Sequence, residues 1–166
     1  MSVLVSNSLS LRQYYHDYRS LVVQKNRSDV STGTLSFADS QALRNAIRRL
    51  GDYDFEESSD DDLYSKLKAF TDTCNYTITS GTKYAKNDDS VKRAISSMKS
   101  LNREYEDELK KYGVTMDDQG NMQMSDSAPK NISHEKFKKM FGSESEYMNK
   151  LYNYAKRINK KVDIRL

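Results

Sequence analysis

One cysteine, one proline, two histidines and no tryptophan occur among the 166 residues. A single thiol, Cys74, excludes an intramolecular disulfide and a cysteine-based zinc site. No apolar run approaches the ~20 residues that a membrane-crossing helix needs. The N-terminus, MSVLVSNSLSLRQYY, lacks a basic n-region and a true apolar core, so no cleavable secretory signal is expected. Export by a route that leaves its cargo uncleaved stays open. The phosphate-binding, dinucleotide-binding and nucleophile-elbow patterns GxxxxGK[ST], GxGxxG and GxSxG are also missing. His16 and His134 lie far apart and belong to no HExxH pattern. Glu104 and Glu108 stand one helical turn apart, but the Glu-x-x-His partner of a di-metal helix is missing, so an ion-paired surface is the expectation. These absences predict a protein that is not an enzyme, with no cofactor, no metal and no small-molecule substrate.

What is present suits helices. Hydrophobic residues make up 36% and charged residues 31%, with a mean hydropathy of −0.88. That composition fits long helices that each bury a stripe. The 12 Tyr and 5 Phe are spread along the chain and the net charge is only +3, which argues against disorder. Charge is uneven. Residues 51–62, GDYDFEESSDDD, hold seven acids and no base, and read as a solvated linker ending at a helix start. Lys156, Arg157, Lys160, Lys161 and Arg165 make the C-terminus basic, as cations favour a helix's carbonyl pole. Both signs mix elsewhere, so only this tail could meet a nucleic-acid backbone, and nucleic acid is not the expected partner.

Periodicity predicts the elements. Leu11, Tyr14, Tyr15, Tyr18, Leu21 and Val22 place a first helix over 9–26. STGTLS reads as loop, and Ser36-Phe37-Ala38-Asp39 as a capping box for a helix through Leu43, Ala46, Ile47 and Leu50. Arg44, Arg48 and Arg49 face elsewhere on it and could meet an acidic partner. Asp60, Asp61 and Asp62 favour a helix N-terminus. A seam follows through Leu63, Leu67, Phe70, Cys74, Thr77, Gly81 and Tyr84, weakened by Thr77 and Gly81. After a turn at Asn87-Asp88-Asp89-Ser90, a second seam runs through Val91, Ile95, Met98, Leu101, Tyr105, Leu109 and Tyr112. Two long helices with a short polar turn should fold back antiparallel. SDSAPKN reads as loop, and short helices then start near Ser133 and Ser143. The expected fold is mainly all-α: an antiparallel helical hairpin or coiled coil, additional helices and one short β-hairpin. Residues 1–59 form N-terminal helices with the acidic linker, and 60–166 the hairpins and C-terminal helices.

The β-hairpin lies in YGVTMDDQGNMQMS, Tyr112 to Ser125. A calcium loop needs oxygen ligands at fixed positions and a glycine at the sixth. With Gly120 sixth, Thr115 is first and Asp126 twelfth; with Asp117 first, Met122 takes the glycine position. Neither register supplies the ligands. Alternation of Val114 and Met116 with Met122 and Met124 around DDQG instead predicts two strands, with Gly120 in the turn and the methionines on the buried face.

The order of these features carries a resemblance. Leu67, Phe70, Asp72 and Asn75 in LKAFTDTCN resemble the L-x-x-F-x-D-x-Y-N helix of flagellar filament cap proteins, the hook-associated proteins of the filament tip. Tyr112-Gly113-Val114, Asp117-Asp118-Gln119-Gly120, Met122, Met124 and Met140-Phe141-Gly142 follow in the family's order. Cys74 and Ser125 depart from it, standing where an aromatic and an aspartate are usual. The resemblance spans residues 63–158. It implies the helical stem of a cap-like protein: a non-enzymatic assembly module whose partners are flagellar subunits or copies of itself, exported to the flagellum without signal cleavage. The alternative is a cytoplasmic helical adaptor or export chaperone.

Overall fold

Five helices begin where a serine or aspartate side chain accepts a hydrogen bond from the first turn. Ser31 accepts from Thr34 N–H, Ser59 from Asp62, Asp88 from Ser90 and Val91, Ser133 from Lys136, and Ser145 from Met148. Each such cap is worth about 1 kcal/mol, because it satisfies a donor that the helix itself leaves open. The computed structural model describes residues 3–125 and 132–166; most of the SDSAPKN loop expectation lies outside them. Helix α1 spans Val3–Tyr15, followed by 3₁₀ segments His16–Val22 and Gln24–Asn26. Then come α2 (Thr32–Gly51), α3 (Asp60–Tyr84), a 3₁₀ turn (Ala85–Asn87), α4 (Asp89–Glu104) and α5 (Glu106–Lys110). Strands β1 (Val114–Met116) and β2 (Met122–Met124) precede α6 (His134–Phe141) and α7 (Glu146–Lys161).

The fold is mainly α-helical, with α3 and α4 folded back on each other and one antiparallel β-hairpin. Helix α3 sits at the centre, packed by α1, α2 and α4, while α7 lies against α2 and α4. A single apolar core takes side chains from Leu11 in α1 to Ile158 in α7. The seam residues Leu63, Leu67, Phe70, Cys74, Ile95, Met98, Leu101 and Leu109 are all buried, and Tyr105 is partly so. The α3 and α4 stripes are not spent on each other alone. Helix α3 is buried around most of its circumference, because Ala69, Thr73, Thr77 and Ser80 face neighbours too. Thr77 and Gly81 therefore do not loosen a seam; they let helices approach. A Cβ added at Gly81 would sit 2.4 Å from Ile95 Cδ1, so a larger residue here would have to turn the Ile95 side chain aside.

Four expectations are corrected. The first helix does not run to residue 26: it stops at Tyr15, and His16 takes a left-handed φ of 48°. Tyr14, Tyr15 and Leu21 still all reach the core on either side of this break. Helix α2 starts a turn earlier than the Ser36 capping box, since Ser31 caps it and Ser36 and Asp39 lie inside and buried. The second seam helix breaks at Tyr105, whose φ/ψ of −99°/13° separates α4 from α5. The acidic stretch is no loose linker either. Phe55 anchors it in the core against Tyr53 and Phe137, at ring distances of 5.6 and 5.4 Å.

Candidate functional site

Asn75 and Tyr64 hydrogen-bond the β-hairpin to the central helix. Asn75 on α3 donates from Nδ2 to Met122 O at 2.8 Å, and its Oδ1 accepts from Met122 N–H at 2.8 Å. The amide thus occupies both backbone groups of Met122 on the side away from β1, as a neighbouring strand would. On the hairpin's inner face Val114 and Met122 are buried, while Met116 and Met124 are partly covered; Thr115 and Gln123 point outward. The turn is held from within. Asp117 Oδ1 accepts from Gln119 N–H at 2.9 Å and Asn121 N–H at 2.8 Å, and Gly120 takes φ 85°. These bonds, the Asn121 backbone first, hold the Asp117 carboxyl below its ordinary pKa. Arg103 of α4 donates to the carbonyls of Asp117 and Asp118, tying the turn to the helical pair.

Below the hairpin, aromatic rings join the segments. Phe141 lies 6.1 Å from Phe70, 5.3 Å from Tyr112 and 4.7 Å from Phe137, mostly edge to face or tilted. Such contacts add about 0.5–1.5 kcal/mol each beyond area burial. Tyr64 donates from its hydroxyl to Ser125 O, closing the hairpin's far end.

At the other half of α3 lies a polar centre that the periodicity did not reveal. The Asp39 carboxylate is fully buried and receives both Arg27 Nη atoms, at 3.0 and 2.7 Å, with the Arg27 side chain 10% exposed. Tyr15 donates to Asp39 Oδ1 at 2.6 Å and Ser80 to Oδ2 at 2.7 Å. Arg27 also lies over the Tyr76 ring, 4.1 Å from its centroid, and Gln24 Nε2 donates to the Tyr76 hydroxyl at 2.9 Å. Burial, reinforced by the Asp39 charge, pushes the Tyr15 phenol well above its ordinary range. The signal was present in the sequence: Asp39, Leu43, Ala46 and Leu50 share the buried stripe of α2, and an acid on such a stripe demands a buried partner.

The groups with chemical potential do not converge. His16 lines a cleft of about 510 Å³ with Arg48, Arg49 and Lys66, whereas His134 Nε2 faces Asp60 at 3.3 Å. Cys74 is fully buried, and burial raises its thiol pKa far out of the reactive range. Glu108 pairs with Lys111, and Glu104 lies near Lys150. A second cleft, about 570 Å³, lies between the hairpin and the polar centre and is lined by Gln24, Arg27, Asn75, Tyr76 and Asp117. Among the described residues no group of three or more His, Cys, Asp or Glu is arranged to hold a metal, and no helix is long and apolar enough to cross a membrane.

The arginines of α2 are partly internal connectors. Arg44 donates to Asn159 Oδ1 at 2.9 Å and to the Tyr152 hydroxyl at 3.2 Å, and Arg48 reaches the same hydroxyl, fastening α2 to α7. Arg49 remains exposed. What this arrangement can do is hold shape: the helical pair, hairpin and α6 form one braced unit with a polar outer surface. Comparison with family models, curated proteins and solved structures returns no match.

Proposed function

We propose that the protein is a non-enzymatic assembly module of the kind found in the helical stem of a flagellar filament cap. One observation supports this most. The separate stretches that resemble the cap stem meet in space and brace each other: Phe70 and Tyr112 on Phe141, and Asn75 on Met122. Residues scattered over more than 60 positions of sequence act as a unit, which is what a shared scaffold requires.

Its partners are proteins, either flagellar subunits or further copies of the chain. The seams are consumed by the molecule's own core, so partners engage the outer faces of the helices and the hairpin. In this role the protein is carried to the flagellum without signal cleavage. The test is capture of purified flagellin-like and hook-associated subunits on the immobilised protein, together with a secretion assay in a flagellated host. Specific capture with export is the expected result. No capture of any subunit overturns the reading, and retention inside the cell with capture of unexported subunits assigns the adaptor or export-chaperone role instead.

A further inference from the structure

The two ends of the bundle carry opposite charge. Four helix termini meet at one end: the 3₁₀ turn Ala85–Asn87 joins α3 to α4, Asp163 N–H donates to the Tyr84 hydroxyl at 2.7 Å, fixing the end of α7 beside them, and Ser31 and Thr34 at the start of α2 bond Ile164 O. Lys83, Lys86, Arg93, Arg157, Lys160 and Lys161 are exposed there. The acids of this end are largely engaged, since Asp88 caps α4 and Asp163 is held by Arg165, leaving Asp89 and Asp29. The opposite end carries the segment 51–62, with Asp52, Asp54, Glu56, Glu57, Asp61 and Asp62 exposed and no cation within it, while Arg48, Arg49 and Lys66 border it at the cleft beside Asp52 and Tyr53. That segment has a fixed shape. Phe55 is buried, Ser58 Oγ donates to Asp54 O at 2.6 Å, and the Glu56 and Glu57 N–H groups donate to Asp54 Oδ1 at 3.1 and 3.4 Å.

Helix α3 runs between these ends, and its 25 residues extend about 37 Å at 1.5 Å per residue. The Debye length is about 8 Å at physiological salt, so the two ends cannot neutralise each other within one molecule. Between molecules they can. We propose that the chain associates head to tail, the basic end formed by α3, α4 and α7 docking on the anchored acidic segment of a second copy. This rests on the assembly reading above and names its partner as the chain itself. Such a contact is heterologous, so each copy keeps one free end of each sign, and growth continues until a ring closes or a filament extends. The ordered acidic loop favours this occupant over a nucleic acid or an anionic membrane, because the complementary surface is already built into the same chain.

The experiment is sedimentation velocity of the full chain over a range of concentrations, in salt of about 0.1 M and about 1 M, where the Debye lengths are about 10 and 3 Å. Concentration-dependent oligomers at the lower salt, lost at the higher, are expected. Lys160→Glu/Lys161→Glu and Glu56→Lys/Glu57→Lys should each weaken association at least about tenfold, since like charges then face each other. All four positions are exposed, and circular dichroism checks that both variants fold. Mixing the two variants adds a decisive arm. One copy retains an intact acidic segment and the other an intact basic end, and the two reversed surfaces complement each other, so the mixture should restore the association that each variant alone has lost. A wild-type protein that stays monomeric in both salts overturns the proposal, as does association that neither reversal changes. Monomers that bind heparin or anionic vesicles through Lys160 and Lys161 also overturn it. Capture of flagellar subunits is a separate readout, so failure here leaves that reading standing.

Discussion

The two halves of α3 are held by different physics. Toward its C-terminus the helix meets α2 through small and polar side chains, Ser36 beside Gly81 and Ser80 bonded to the buried Asp39 carboxylate. Toward its N-terminus it meets α6 and the hairpin through the rings of Phe70, Phe137, Phe141 and Tyr112. The aromatic half gains from area and tolerates some repacking. In the polar half each group must find a partner, so it is specific but brittle. Close approach carries the helix contact there, and bonds to one carboxylate fix the positions of Tyr15, Arg27 and Ser80.

The largest effect should come from the polar half. Asp39→Ala leaves the Arg27 guanidinium buried without its partner, and breaking such a pair costs about 3–5 kcal/mol. Chemical denaturation should show this loss. Arg27→Met/Asp39→Leu removes both charges and should recover much of it; if the double variant is no better than the single one, the ion pair itself is not what makes this half brittle. In the aromatic half, Phe141→Ala opens a cavity under Phe70 and Tyr112, also at a cost of about 3–5 kcal/mol. It should differ in kind. Near-ultraviolet circular dichroism and hydrogen exchange should show loosening of α6 and the hairpin, with the α2–α3 contact retained at moderate denaturant.

The same contrast explains how much was legible in the sequence. Large side chains at helical spacing pointed to the core: Leu63, Leu67, Phe70, Ile95, Met98 and Leu109 are buried. The turn at Asn87–Ser90, the helix start at Ser133 and the strand alternation around Gly120 were also legible, because each is a local rule satisfied by nearby atoms. Apart from the place of Asp39 on the buried stripe of α2, the polar half was hidden. Serine, threonine and glycine look like surface or weak points in a hydrophobicity pattern, although Thr73, Thr77, Ser80 and Gly81 are buried. Thr73 and Thr77 solve their hydroxyl problem locally, donating to Phe70 O and Thr73 O at 2.7 Å. Asp39 looked like a capping residue because its partner, Arg27, lies just after a 3₁₀ segment, where no periodicity announces it. The bracing role of Asn75 depends on a residue 47 positions away.

Smaller effects test the edges of each half. A Cβ at Gly33 would lie 2.0 Å from Asp163 O, where the start of α2 clasps the chain's last residues through Ser31 and Thr34 hydroxyls donating to Ile164 O at 2.9 and 3.0 Å. Gly33→Ala should displace that segment at a cost of about 1–3 kcal/mol, as overpacking does. Faster hydrogen exchange at residues 162–166 checks it, and unchanged protection there would mean that the clasp is not a real constraint. On the other side, Asn75→Ala leaves both backbone groups of Met122 without their amide partner. A lost bond that strands a shielded donor or acceptor costs about 1–3 kcal/mol. Exchange at Met122 and Asn121 should rise more than at Leu67 or Phe70, separating hairpin docking from the stability of α3.

The smallest effect is a pH dependence confined to the hairpin turn. The backbone N–H groups of Asn121 and Gln119 favour the charged Asp117 carboxylate and lower its pKa from the ordinary 3.8. A depressed folded-state value means that stabilisation by this group is fully present above the unfolded pKa. It is lost as pH falls from that value through the lower folded one. The turn should therefore loosen only in acid below about pH 4, first at Gln119 and Asn121, whose N–H groups lose a charged acceptor. Two-dimensional NMR titration checks this, with the Asp117 carboxyl midpoint expected below 3.8. Asp117→Asn keeps an acceptor oxygen but removes the charge, so the acid transition of the Gln119 and Asn121 amides should vanish while the hairpin register persists. If those amides titrate unchanged in the Asn variant, the turn is governed by another carboxylate, and the internal bonding assigned to Asp117 does not set its electrostatics.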